Sequence, residues 1–232
     1  MKRRTAAGRL MAALAVLAWV VVTPAAVQAE GQWERSAPEL VVVNMADTHS
    51  AYDAYPRILT AAERLADQYS GQNVVFLFNG DLFELGNAAA SKSEGEADWE
   101  FLSRLREHGP VIINIGNHEF DFMTPGEFVD TAREHDLTVI GNITDADGRP
   151  LAPATTDLSV HNTVVRVVGV ATNQMNTYPE PYRETIEIPD PVEWTQNNYD
   201  RLVGDADYSI LLSHAGLTSD RELLAGVPAS TL

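Results

Sequence analysis

The segment Asn73–Asp81 reads NVVFLFNGD, and Val111–Phe122 reads VIINIGNHEFDF. Each opens as a nearly continuous run of apolar, often β-branched residues, then stops at a glycine that introduces polar side chains. A half-solvated strand alternates apolar and polar residues. An unbroken run of this length instead suits a strand buried on both faces of a sheet. Four more runs share the character: Glu39–Asn44 (ELVVVN), Thr138–Gly141 (TVIG), Val164–Ala171 (VVRVVGVA) and Tyr208–Ser213 (YSILLS). Helical patterns lie between them. Tyr55–Tyr69 puts Ile58, Leu59, Ala62, Leu65, Ala66 and Tyr69 on one face, and Asp98–His108 does the same with Phe101, Leu102 and Leu105. Helix starts are marked at Thr124, Asp190 and Ser219, each an N-cap residue with an acid three positions on. Gly226 and Pro228 mark the end of the last helix. Residues 143–162 and 172–189 read as loops. The fold class is α/β.

Chemistry-bearing residues stand where these strands end. Asp47 and His49 follow the first strand, Asp81 the second, Asn117, His118 and Asp121 the third, and His214 the Tyr208 strand. Open α/β sheets build sites beyond the carboxyl ends of their strands, so these side chains are aimed at one rim. In an extended stretch Asp47 and His49 project to the same side and can grip one cation. Gly80 and Gly116 allow the tight backbone that delivers Asp81 and Asn117 directly after a strand. A mixed nitrogen and oxygen set suits divalent or trivalent Mn, Fe, Zn or Co. Asp81 is placed to bridge two such ions, the clamp that serves in-line displacement at phosphorus.

Asp-x-His, Gly-Asp, Gly-Asn-His-Glu and a later strand-borne His, in this order, resemble the calcineurin-like metallophosphoesterases. GNHEFDF, with Leu212–Gly216 (LSHAG) and Asp220, is similar to their 5′-nucleotidase branch. The resemblance covers residues 40–228 and implies a β-sandwich flanked by helices. It implies that Asp47, His49 and Asp81 hold one metal and that Asp81, Asn117 and His214 hold the other. His118 would sit over a small phosphate ester such as a nucleotide, protonating the leaving oxygen or stabilising the transition state, and Asp121 would orient it. A carboxylate on an imidazole fixes its tautomer, so the His–Asp pairing makes sense on chemical grounds as well. The family pattern continues into Gly-His-x-His, which does not occur in this sequence. The chain therefore reads as a domain lacking its last strands, each metal one histidine short. Segment 30–232 alone is expected to be unstable or aggregation-prone and to have little phosphatase activity. The alternatives are a non-catalytic remnant and a relative that hydrolyses sulfur-linked groups.

Composition narrows the remaining classes. The 232 residues carry 16 Lys+Arg against 33 Asp+Glu, a formal charge of −17, which disfavours a nucleic-acid polymer as partner. There is no cysteine, which removes disulfide scaffolds, thiolate metal sites and cysteine nucleophiles together. Lys2, Arg3, Arg4 and Arg9 precede an apolar stretch from Leu10 to Val22, and Val27-Gln28-Ala29 offers a small-residue cleavage site. Residues 1–29 thus read as a secretory signal, too short in its apolar part to anchor the chain in a membrane, with 30–232 the catalytic domain, periplasmic or secreted. Losing those four cations takes the charge from −17 to −21. His108 and His135 lie near helix ends and read as structural. Asn73, Asn79 and Asn114 read as loop and strand-edge residues, and Glu119 takes no assigned role.

Overall fold

A computed structural model describes residues 40–69 and 73–226. The signal-like segment 1–29 and Pro228 lie outside the described residues. Four of the six apolar runs fold into a parallel sheet, β1 (Val41–Met45), β2 (Val74–Asn79), β3 (Val111–Asn114) and β4 (Thr138–Ile140), adjacent in that order. Parallel neighbours need crossovers. They are α1 (Tyr55–Tyr69), the pair α2 (Ala88–Ser93) and α3 (Glu96–Arg106), and α4 (Pro125–Glu134). Thr124 caps α4 in a reciprocal box with Glu127.

The run-like sequences are explained by two cores, one on each face of this sheet. Val41, Phe76, Phe78, Val111, Ile113 and Val139 face a core that includes Tyr55 and Ala62 of α1, Leu102 and Leu105 of α3 and Phe128 of α4. Their neighbours Val42, Val75, Leu77, Ile112 and Ile140 face a second core, shared with Val160, Val165, Val167 and Leu212. Burying each such side chain fully is worth roughly 1.5–3 kcal/mol.

The residues across that second core belong to a second sheet. Along the chain come β5 (Thr144–Asp145), β6 (Thr155–Val160), β7 (Thr163–Ala171), β8 (Ile186–Glu187), α5 (Pro191–Val203), β9 (Tyr208–His214) and α6 (Leu217–Gly226). β6, β7 and β9 form a sheet in that order, β6 antiparallel and β9 parallel to β7, while β5 and β8 pair separately. Helix α5 packs on β7 and α6. The architecture is an α/β sandwich flanked by helices.

Three sequence expectations are corrected here. The stretches 143–162 and 172–189 are not simply loops, because they contain β5, β6 and β8. β6 (TTDLSV) is a polar edge strand with only Val160 buried, so it lacks an apolar run. Helix α6 begins before Ser219, with the Asp220 N–H already donating to Gly216 O at 3.0 Å, so Ser219 is not its cap. Asn114 is no edge residue. It is fully buried in an interior strand, and its amide reaches Asn79 Oδ1, Val170 O and Leu212 O, each at 3.0 Å. The Asn79 amide donates in turn to Ser213 O at 2.8 Å. This polar stitch joins the two sheets and sets the carboxyl end of β9 against that of β2. It also requires a glycine opposite, since a Cβ on Gly169 would stand 2.6 Å from Asn114 Oδ1.

Candidate metal centre

The ends of β1, β2, β3 and β9 deliver the chemistry-bearing residues to one place. Residues 47–50 leave β1 in a compact loop, not the extended stretch expected from the sequence. Asp47, His49 and Ser50 all have left-handed backbones, with φ of 51°, 45° and 51°. The loop lies along the end of β2. The N–H groups of Asp47, His49 and Ser50 donate to the carbonyls of Gly80, Asp81 and Leu82 at 3.1, 3.1 and 2.9 Å. Asp81 is itself left-handed, at φ 57°. Asp and His tolerate this region better than most residues, yet each instance costs on the order of 1 kcal/mol, and the clustering here marks a site rather than a stability device.

Two glycines make the close approach possible. At Gly80 (φ 77°) a Cβ would stand 2.5 Å from His214 Nδ1, and at Gly116 a Cβ would stand 2.6 Å from Asp81 Oδ1. Behind them lies Glu119, fully buried. It accepts from the N–H groups of Gly116 (2.7 Å), Leu82 (2.9 Å) and Asp81 (3.2 Å), tying the β2 and β3 loops together. Burial, then the charge of Asp81, pushes its carboxyl up to about 7. This role was open in the sequence: a carboxylate inside a Gly-x-x-Glu turn can fold back on its own backbone.

Asp81 is the centre of the arrangement and only 5% exposed. Its Oδ2 lies 3.8 Å from His49 Nε2 and its Oδ1 lies 3.2 Å from His214 Nε2. Oδ1 also accepts from the N–H groups of Asn117 (2.9 Å) and His118 (3.1 Å). Burial opposes the Asp81 charge, but the hydrogen bond and charge of His214 and the nearby His118 outweigh it and hold the carboxyl below the usual range. His214 donates Nδ1–H to Asn79 O at 2.7 Å, which leaves Nε2 as the ring nitrogen turned to Asp81.

His118 and Asp121 meet as expected, Nδ1 donating to Oδ2 at 2.9 Å, and Leu85 N–H holds the same oxygen at 2.8 Å. The Asp121 bond, opposed by burial and reinforced by the charges of Asp81, Asp121 and Glu84, raises His118 to about 9.

Among the described residues, three sets of His and carboxylate side chains have ligand atoms all within 4.8 Å of one another. They are Asp47 with Asp81 and His214, His49 with Asp81 and His118, and Glu84 with His118 and Asp121. Six of the seven residues singled out in the sequence fall in these sets, and the seventh, Asn117, gives its N–H to Asp81 Oδ1. Asp47 gathers with His214, whereas His49 faces His118, their rings edge-to-face at 5.0 Å. A cleft of about 380 Å³ opens on the first group, lined by Asp47, Asn117, His214, Thr172, Gln174 and Asp220. Glu84 carries no sequence signal, being one acid after an apolar pair.

These donors fit a cation. Two ligand atoms about 2.1 Å from one ion lie roughly 3–4 Å apart, and the two histidine–Asp81 separations of 3.8 and 3.2 Å fall in that span. Both oxygens of one carboxylate are used, each towards a different imidazole.

Known proteins share this fold. The chain is 25% identical over 189 residues to YunD of Bacillus subtilis, an uncharacterized metallophosphoesterase, covering 78% of this chain and 39% of YunD. It is 27% identical to the 5′-nucleotidase precursor of Thermus thermophilus, whose crystal structure superposes with a TM-score of 0.62 over 79% of this chain and 38% of that one. The NAD nucleotidase of Haemophilus influenzae superposes at 0.63 with 19% identity, over 79% and 35%, and so shows the fold alone. The chain thus spans about two fifths of the length of these relatives. The calcineurin-like phosphoesterase profile matches residues 40–229, and the chain belongs to that family.

Proposed function

We propose that this protein is an exported metal-dependent phosphoesterase acting on small phosphate esters of the nucleotide type, with residues 30–232 as its catalytic domain. The observation that carries the reading is Asp81, a buried carboxylate whose two oxygens face two separate histidines. Asp47, His49 and Asp81 would hold one divalent or trivalent ion, and Asp81, Asn117 and His214 the other. When bound, such a pair neutralises phosphoryl oxygens and lowers the pKa of water.

The chain's own groups do the rest. The cleft beside Asn117 and His214 admits the phosphoryl group, with Thr172 and Gln174 offering neutral hydrogen-bonding groups to the remainder of the substrate. Asp121 fixes the Nδ1–H of His118, leaving Nε2 to approach the ester oxygen. As water attacks phosphorus and the ester P–O bond breaks, His118 gives its Nε2 proton to the departing oxygen, so the products are an alcohol and phosphate. Positioned proton donation of this kind is worth about 10²–10⁴ in rate.

Export rests on the sequence of residues 1–29. No described helix is long and apolar enough to cross a membrane. The test is hydrolysis of a chromogenic phosphate monoester, with metal content measured on the same sample. Phosphate release that needs added Mn²⁺ and stops with a chelator is the expected result. Metal binding without release of phosphate would reject the catalytic reading. Amino-terminal sequencing of the exported protein should begin at Glu30.

A further inference from the structure

His49 is placed at the centre by its backbone, with its ring edge-to-face against His118. Its Nδ1 is buried and makes no hydrogen bond. The Glu84 carboxylate stands beside it, Oε2 3.4 Å from that nitrogen. The other oxygen, Oε1, is anchored by the Gly86 N–H at 2.7 Å in a tight turn, where a Cβ on Gly86 would approach it to 2.8 Å. The carboxylate is thus held on one side and directed at an unsatisfied imidazole nitrogen on the other. Only a small side-chain rotation separates 3.4 Å from a charge-assisted hydrogen bond of roughly 2.7–2.9 Å. The side chain of Glu84 is 33% exposed, so it has room to move. The next residue, Leu85, gives its N–H to Asp121. One short turn therefore serves both His49 and the partner of His118.

We propose that Glu84 is a positioning residue for the metal centre, accepting the Nδ1–H of His49 and so holding Nε2 towards the cation beside Asp81. Metal-ligating histidines generally donate their second ring N–H to a carboxylate, a carbonyl or water, and loss of that partner typically costs about 10–100-fold in metal affinity or activity. His214 obtains the same service from the Asn79 carbonyl. His49 has no carbonyl in that place, and Glu84 supplies the acceptor. The inference rests on His49 being a ligand, as proposed above.

Two measurements on Glu84→Ala, Glu84→Gln and His49→Ala test it. Chelator competition with Mn²⁺ or Zn²⁺ gives the affinity, and imidazole ¹⁵N shifts of the metal-free protein report which nitrogen of His49 carries the proton. Glu84→Ala should bind one ion about 10–100-fold more weakly and lose the Nδ1–H preference of His49. Glu84→Gln keeps an acceptor oxygen and should stay near wild type in both. Wild-type affinity or an unchanged His49 tautomer in Glu84→Ala overturns the proposal. So does outright loss of one equivalent to the extent seen in His49→Ala, which would make Glu84 a ligand itself. Wild-type metal binding by His49→Ala would instead reject the ligand assignment, a failure recognisable without reference to Glu84.

Discussion

Asp81→Asn should empty the centre of metal more completely than any other single change. The substitution is nearly isosteric, and the amide oxygen can still accept from the Asn117 and His118 N–H groups, so the fold should persist. What is lost is the negative charge and one of two acceptor oxygens. The oxygen 3.8 Å from His49 becomes an NH₂ group that cannot ligate, and the oxygen 3.2 Å from His214 stays but without its charge, so one half of the site loses a ligand atom and both lose the shared negative charge. Even an outer partner is worth about 10–100-fold in affinity, and a shared ligand should exceed that for both ions. Elemental analysis after dialysis against limiting metal, with circular dichroism as a check on folding, measures it. Two equivalents retained at wild-type affinity would refute the bridging role.

His118→Ala should leave the metals in place and remove the proton donor, lowering kcat by about 10²–10⁴. The structure sharpens this test. His118 lies within the same 4.8 Å grouping as His49 and Asp81, so ligand and proton donor are both geometrically open to it. Its hydrogen bond to Asp121 argues for the donor role, since that bond leaves Nε2 free for substrate while the ring stays fixed. Asp121→Asn should give a smaller loss of the same kind, the ring remaining present but less firmly held. Metal loss in His118→Ala would make it a ligand and rewrite the mechanism.

The parallel sheet was legible because physics writes it plainly. Strands such as VVFLFN are apolar on both faces when both faces are covered, here by the two cores on either side of Phe76 and Leu77. β6 was not legible, because an edge strand with one buried residue needs no such pattern. That these residues gather at one end of the sheet could be read from their places after the strands, but the contacts among them could not. The reading of Asp47 and His49 assumed extended backbone, whereas residues 47, 49 and 50 are left-handed, and both side chains gather at Asp81, the one also with His214 and the other also with His118. No local signal announces such a loop, since it is held by carbonyls from residues 80–82 across the sheet. Glu84 and the Asn79–Asn114 stitch were hidden for the same reason. Their partners are distant in sequence, and the residue types alone are as common on a surface as in a site.

Anomalous diffraction from crystals of the protein saturated with Mn²⁺ tests the central claim most directly. The account predicts two peaks flanking the Asp81 carboxylate. One should be in bonding contact with His49 Nε2 and the other with His214 Nε2, with His118 bound to neither. A single ion, or two ions that do not share Asp81, would contradict it.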